Sequence, residues 1–298
     1  MEPTLSELLS PALLSRIGDF SLMARIAVEG FLTGAHRSVC RGYGGEFLQY
    51  RGYVPGDDLK YVDWKLFARQ DKVCMKVFQE ETNMRVALVL DASASMSYKG
   101  ENAVCSKFEY ASLLAACLAY LAQRQGDQVG LFVYSNNMLS QTSSSQHHGT
   151  LTSMLAELSR IKPSGVADHP TAWSQAADYL KGRGMMVFMS DFHAFEDQLA
   201  KHLRMMRFGH RDTMLFHILD HDEISFPFTE AMNFTDSETN DRMATSPPQI
   251  ADDYRRRMTQ FIDSIRSDCM ETQTDHLLAD TSRSLEDALS AFLNHRKA

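Results

Sequence analysis

The residues best suited to chemistry in this chain are oxygen donors. Asp91-Ala92-Ser93-Ala94-Ser95 directly follows the apolar run 86–90, and a second carboxylate, Asp191, follows the run 185–189 and Ser190. Thr171, at the start of a predicted helix, is a further candidate donor. Carboxylates and hydroxyls suit a hard divalent cation such as Mg²⁺, with Mn²⁺ or Ca²⁺ as variants, because such ions take oxygen ligands and Mg²⁺ keeps several waters. Two carboxylates and neutral hydroxyls do not overwhelm a dication's charge. An anionic oxygen from elsewhere, such as a carboxylate on another protein, could then complete the shell. The competing reading is that Ser93 and Ser95 only turn the chain and cap the next helix.

Several elements must position these donors. The run 85–90 suits a strand buried on both faces of a parallel sheet. Further strands are predicted at 128–135, 185–189, 213–219 and 275–278. Helices are predicted at 107–125, 150–160, 171–181, 195–207, 254–270 and 284–295. Strand and helix alternate, which predicts an α/β fold with a doubly wound, mostly parallel sheet and right-handed crossovers. Ligands in such sheets bind outside the carboxyl ends of the strands, where Asp91 and Asp191 fall. Ahead of this pattern, 4–29 reads as helical with a break at Gly18, and 73–78 reads as a strand. Behind it, 223–249 reads as irregular, with a short hairpin from 224–228 and 232–234. The expected organisation is an N-terminal helical/β extension (1–83), a metal-site domain (84–222) and a C-terminal helical extension packed on it (223–298).

Composition narrows the function classes. The 298 residues carry 30 Lys+Arg against 38 Asp+Glu, a net charge of −8, which argues against a generally basic nucleic-acid binder. Hydrophobic residues at 44% and charged residues at 23% are ordinary globular values and exclude disorder throughout. Residues 31–85 are the exception in charge, with nine basic and seven acidic side chains against 21 and 31 in the remainder. The five cysteines (40, 74, 105, 117 and 269) are odd in number and show no C-x-x-C spacing, which argues against a disulfide framework or a Cys-based zinc site. Cys117 reads as a core residue. The apolar stretch 110–122 is 13 residues long, short of the roughly 18 that suggest a membrane span. No basic segment leads into an apolar one at the start of the chain. The expectation is a cytoplasmic protein with no direct membrane insertion.

The mixed-charge segment holds further candidates. Gly42–Phe47 (GYGGEF) lacks the Gly-Lys-Ser/Thr of a phosphate-binding loop and reads as a turn presenting Glu46 and Arg51. Asp57, Asp58 and Asp63 with Arg51, Lys65, Arg69 and Lys76 suit an ion-pair network or a partner surface. Trp64 suits a packing aromatic or a binding hot spot. His147-His148 reads as part of a solvated Ser-rich loop, and His193 stands two residues past Asp191.

Gly42, Gly44, Glu46 and Phe47 match G-x-G-x-E-F, and Arg51, Tyr53, Pro55, Gly56, Asp57 and Asp58 match R-x-Y-x-P-G-D-D. Asp63-Trp64, Ala68-Arg69, then Lys76, Phe78 and Glu80 or Glu81 follow in order. This series resembles the bacterial "domain of unknown function 58" family. The string Asp91-x-Ser93-x-Ser95 after a strand looks like the metal-ion-dependent adhesion site (MIDAS) of the von Willebrand factor A fold. The resemblance implies a non-enzymatic accessory protein that partners a MoxR-type AAA+ ATPase or a client protein through a metal-bridged carboxylate. Asp91, Ser93 and Ser95 would form the first loop of the site, Thr171 the second and Asp191 the third. The second loop departs from the family's frequent G-x-T-D, reading Asp168-His169-Pro170-Thr171-Ala172. Two alternatives stand beside this: a metal-dependent phosphoester hydrolase using Asp91, and a scaffold with a vestigial metal site.

Overall fold

The apolar runs pair into one sheet because each is hydrophobic on both faces and must be covered on both. The computed structural model describes residues 20–34, 47–52, 62, 66–67, 74–78, 84–101, 103–143, 148–180, 184–193, 195–209, 211–230, 232–239 and 241–295. In chain order the elements are α1 (Phe20–Gly34), β1 (Phe47–Gly52), β2 (Cys74–Phe78), β3 (Arg85–Asp91), a 3-10 turn (Ala94–Ser97) and α2 (Lys107–Arg124). Then follow β4 (Gln128–Tyr134), β5 (Met138–Ser143), α3 (His148–Leu158), α4 (His169–Leu180), β6 (Gly184–Ser190), α5 (Glu196–Phe208) and β7 (Arg211–Leu219). The chain continues with α6 (His221–Ser225), β8 (Met232–Thr235), β9 (Arg242–Thr245), α7 (Pro247–Glu271), β10 (Asp275–Asp280) and α8 (Glu286–His295).

Contacts divide the chain into two compact units, His36–Asn83 and a larger one made of Met1–Ala35 with Met84–Ala298. In the smaller unit β1 and β2 pair antiparallel, with an irregularity between Phe47 and Gln49. The larger unit holds a six-stranded sheet in the order β10-β7-β6-β3-β4-β5. All neighbours in it are parallel except β4 and β5. Numbered by their sequence within the sheet, the strands run 3-2-1-4-5-6, the doubly wound order, with an antiparallel edge strand.

Both faces are covered. Ala87 and Val89 of β3 pack with Trp173, Phe188, Leu199, Leu215 and Ile265 into a cluster under α4, α5 and α7. The alternating Val86, Leu88 and Leu90 are just as buried and face the other way, where α2 packs on β3 and β4. A second layer of α1, α3 and α8 contacts α2, so that helix is apolar on most of its circumference. Cys105, Cys117 and Cys269 are free, buried thiols.

Several expectations are corrected. The hairpin is β8 with β9 (Met232–Thr235 with Arg242–Thr245), not 224–228 with 232–234. Part of 224–228 instead ends α6, which Asp220 and Glu223 nucleate as a reciprocal capping box. α7 begins at Pro247 rather than 254, because proline in a helix's first turn loses no hydrogen bond. For the same reason Pro170 sits inside α4, which starts at His169 rather than 171. The edge strand β5 was not anticipated, since polar Ser140, Gln141 and Thr142 break the apolar pattern. Among the described residues no helix is long and apolar enough to cross a membrane.

A candidate metal site at the switch point of the sheet

The chain leaves β3 toward β4 on one side and returns to β6 on the other, so the loops after β3 and β6 diverge and open a crevice between them. The register pairs Leu90 with Met189, which sets Asp91 beside Ser190 and Asp191. This is the position that the doubly wound fold assigns to ligands, and the chain puts two carboxylates there.

Asp91 is fully buried. Its Oδ1 accepts the Ser93 backbone N–H at 2.8 Å, and its Oδ2 accepts the Ser190 hydroxyl at 2.6 Å. Ser190 Oγ in turn accepts the Phe192 N–H at 2.9 Å. Ser93 stands at the N-cap of the 3-10 turn, yet its side chain makes no cap hydrogen bond. Its Oγ lies 3.1 Å from Ser95 Oγ instead. The helix that follows is capped by Ser106, whose hydroxyl accepts the Glu109 N–H while the Glu109 carboxylate accepts the Ser106 N–H. The hydroxyls of Ser93 and Ser95 are therefore not consumed by capping.

Asp191 follows β6. Its Oδ1 accepts the His193 N–H at 3.2 Å, and its Oδ2 accepts the Lys107 ammonium at 2.8 Å. Lys107 Nζ also donates to Glu223 Oε1 at 2.7 Å, and its side chain is 1% exposed. This lysine begins α2, where the helix dipole disfavours a cation, so the two carboxylates must compensate both burial and dipole. Phe192, buried with φ 54, turns the loop through the left-handed region, a strained geometry for a bulky side chain. It stacks on His169, whose Nδ1 lies 2.7 Å from Tyr134 Oη.

The electrostatics follow from this packing. Burial, reinforced by the Asp191 charge, pushes the Asp91 carboxyl up to about 7. Burial acts the same way on Asp191, but the Lys107 ammonium outweighs it and holds that carboxyl below the usual range, aided by His193 and the Ser95 hydroxyl. Glu223 is likewise held down by Lys107 against its burial. Burial works against charge on Lys107, yet Asp191 and Glu223 keep it firmly protonated. Two neighbouring carboxyls are thus driven apart, one held charged and one pushed toward neutrality.

Two tethers fix the rim. Ala94 N–H donates to Gly165 O at 2.8 Å and Ser164 N–H to Ala92 O at 2.9 Å, binding the loop before α4 onto the first loop. Gly100 N–H donates to Asp220 Oδ2 at 3.1 Å, and any side chain at Gly100 would strike Asp220 and Asp222. Burial raises the carboxyl of Glu238, in the turn between β8 and β9, and the charges of Asp191 and Asp236 add to the shift.

Asp91, Ser93, Ser95 and Asp191 therefore come together. Thr171 lies exposed in the first turn of α4, with its N–H donated to Asp168 Oδ1 at 3.2 Å, and no hydrogen bond among the described residues joins it to the other four. Glu46, Asp57, Asp58, Asp63, Trp64 and Arg69 lie outside the described residues, as does the side chain of Arg51. Lys107, Ser190 and Glu223 are the residues that sequence reasoning missed. The signal for Lys107 was a lone cation opening an otherwise apolar helix. Glu223, 116 positions further along the chain, gave none. Among the described residues no cluster of three or more His, Cys, Asp or Glu side chains is arranged as a ready metal cage. The donor set here is instead two carboxylates and two hydroxyls, all oxygen, which fits a hard cation that keeps waters.

The family profile described as "Protein of unknown function DUF58" matches residues 49–261. The chain belongs to the DUF58 family. An uncharacterized protein of Mycobacterium tuberculosis (strain ATCC 25618 / H37Rv) is 26% identical over 251 residues, covering 83% of this chain and 78% of its own. An aerotolerance-related membrane protein from Bacteroides fragilis NCTC 9343 superposes with a TM-score of 0.49 at 18% identity, over 71% of this chain and 98% of that one. BatB from Bacteroides thetaiotaomicron gives 0.47 at 15% identity, over 72% and 100%.

Proposed function

We propose that this DUF58 protein is a non-enzymatic adaptor that binds partner proteins through a divalent cation held at the switch point. We further propose that it works with a MoxR-type AAA+ ATPase in maturing or remodelling client proteins, in the cytoplasm. Family membership and the doubly wound α/β fold support an interaction role. The observation that carries the metal is a charge count. Three largely buried carboxylates, Asp91, Asp191 and Glu223, meet one ammonium, Lys107. With all three ionised and the His193 ring beside Glu223 neutral, the pocket is two positive charges short, and one short once that ring is protonated; burial beside Asp191 pushes Asp91 toward its neutral form. A dication supplies the missing charge.

Asp91, Ser93, Ser95 and Asp191 would hold Mg²⁺, Mn²⁺ or Ca²⁺, with Thr171 as a further candidate from the loop before α4. The bound ion supplies a positive centre for a partner's carboxylate. The chain's own part is to pre-shape the donors: Ser190 aims Asp91, Lys107 aims Asp191, and the tethered loops keep the rim in place. The hydrolase alternative gains less support, because Lys107 is buried and saturated by two carboxylates and so is poorly placed to serve as a general acid. The net charge of −8 favours a protein partner over nucleic acid.

The test is capture of the AAA+ ATPase or its client by the full-length protein in Mg²⁺ and in EDTA. Binding should be lost in EDTA and in Asp91→Ala. Undiminished capture by a folded Asp91→Ala would sink the metal-bridged version. Calorimetry showing no binding of Mg²⁺, Mn²⁺ or Ca²⁺ would favour the scaffold with a vestigial site.

A further inference from the structure

We infer that a cavity at the amino end of β7, built around Arg211, is a second docking site, which takes an acidic segment of a partner protein with an apolar side chain beside its carboxylates. The site needs no metal and lies at the opposite end of the sheet from Asp91. Gly184 of β6 pairs with Arg211 of β7 at one end, whereas Ser190 of β6 bonds Asp91 at the other. The seven residues of β6 set the two ends about 20 Å apart.

The cavity measures about 1140 Å³ and lies between the last turns of α5 and α7 and the start of β7. Three guanidiniums line it, those of Arg204, Arg207 and Arg211. Arg204 is paired with Glu271 at 3.1 Å. Arg207 meets neutral acceptors, the Thr272 carbonyl at 3.0 Å and the Gln273 side-chain oxygen, and so caps the carboxyl end of α7. Arg211 has no ion pair among the described residues, and its Nε is buried without a hydrogen-bond partner. Asp212 also borders the cavity, but its side chain leaves the strand on the opposite face from Arg211. Two of the three positive charges therefore lack a counter-ion among the described residues. A buried donor left unmet is costly, and a carboxylate answers a guanidinium with two charge-assisted hydrogen bonds. Gly209 permits the placement, since a Cβ there would strike the Arg211 guanidinium.

Phe208 supplies the apolar half of the site. It lines the cavity and is 87% exposed. Met205, three positions back on the same face of α5, is 56% exposed. An exposed aromatic beside unpaired arginines has the composition of an interface centre. Charge then decides the class of partner. Glu271 and Asp212 at the rim oppose a run of phosphates, and so does the chain's net charge of −8. A short acidic peptide segment needs only two carboxylates and one apolar seat. Sites at opposite ends of the sheet let the chain hold two proteins at once.

The experiment measures fluorescence anisotropy of labelled octapeptides on the full-length protein in EDTA. The panel carries two to four Asp or Glu around one Leu or Phe, and the controls replace the acids with Asn and Gln. Wild type should bind the acidic peptides and not the controls. Arg211→Met keeps the length of the stem and should weaken binding about tenfold or more. Its Tm should equal or exceed that of wild type, because the guanidinium has no partner to lose. Arg211→Lys keeps the charge without the fork and should recover only part of the affinity. Gly209→Ala puts a methyl where the guanidinium lies and should weaken binding with every charge retained. Phe208→Ser should weaken peptides bearing Leu or Phe and spare an all-acidic one. Absence of binding to every acidic peptide, or affinities unchanged in R211M and G209A, would overturn the inference. So would a single-stranded oligonucleotide that binds more tightly than any peptide. A fall of several degrees in the Tm of R211M would give the arginine a structural role and overturn it as well.

Discussion

Burial changes what ordinary side chains in and around this pocket demand. His217 on β7 is fully buried, and neither ring nitrogen has a hydrogen-bond partner among the described residues. It lies against Phe192, Phe261 and His276. Burial, with the neighbouring His276 and His193, pulls its pKa well below the usual histidine value. His276 is pulled to about 4 in the same way, and Arg266 adds to its shift. The folded protein thus binds fewer protons here than the unfolded chain. Stability from these groups is present above the unfolded histidine pKa of about 6.5 and is lost as pH falls below it. His217→Phe replaces an unsatisfied polar ring with an apolar one, a change that is neutral or stabilising when the shape is kept. Urea midpoints should fall between pH 6.5 and 5 in wild type and fall less in the variant. Equal slopes for the two proteins would refute this account.

At the scale of elements, two helices shape the pocket through their first turns. α2 delivers Lys107 at its first position, and the Ser106–Glu109 capping box fixes where the helix begins. Ser106→Ala should cost about 1 kcal/mol. It should also weaken Mg²⁺ binding measurably, because fraying the first turn loosens Lys107 and through it Asp191. A melt that drops with no change in Mg²⁺ affinity would separate the cap from the pocket. α6 is only five residues long, but its own capping box turns Glu223 toward Lys107. The strands were legible in the sequence because strands covered on both faces must be apolar throughout, as in the runs ending at Asp91 and Ser190. β5 was not legible, since an edge strand needs no such pattern. The start of α7 was obscured because Pro247-Pro248 signals either a break or a first turn, and only packing decides between them.

For the whole molecule, the proposed metal would be tied to folding through the α/β frame. Any ion that binds the folded pocket and not the unfolded chain stabilises the fold by mass action, by about 2.7 kcal/mol when its concentration is 100 times the Kd. For a chain of 298 residues this amounts to a rise in Tm of several degrees in saturating Mg²⁺, reversed by EDTA and absent in Asp91→Ala. An identical rise in the variant would place the ion elsewhere. The excess of acidic side chains adds a general attraction for cations, so the comparison must be made at fixed ionic strength.

The sequence by itself determined the strand–helix alternation, the placing of Asp91 and Asp191 at strand ends, the core position of Cys117 and, through residues 42–81, the family. These are local or periodic signals, carried by neighbours along the chain. Tertiary structure alone decided that Asp91 and Asp191 share a pocket, because β3 and β6 lie side by side although 92 residues separate the end of one from the start of the other. It also decided that Lys107 is the pocket's internal cation. A lysine opening a helix is ordinarily solvated, and only a carboxylate returned from β6 and another from the turn after β7 make its burial tolerable.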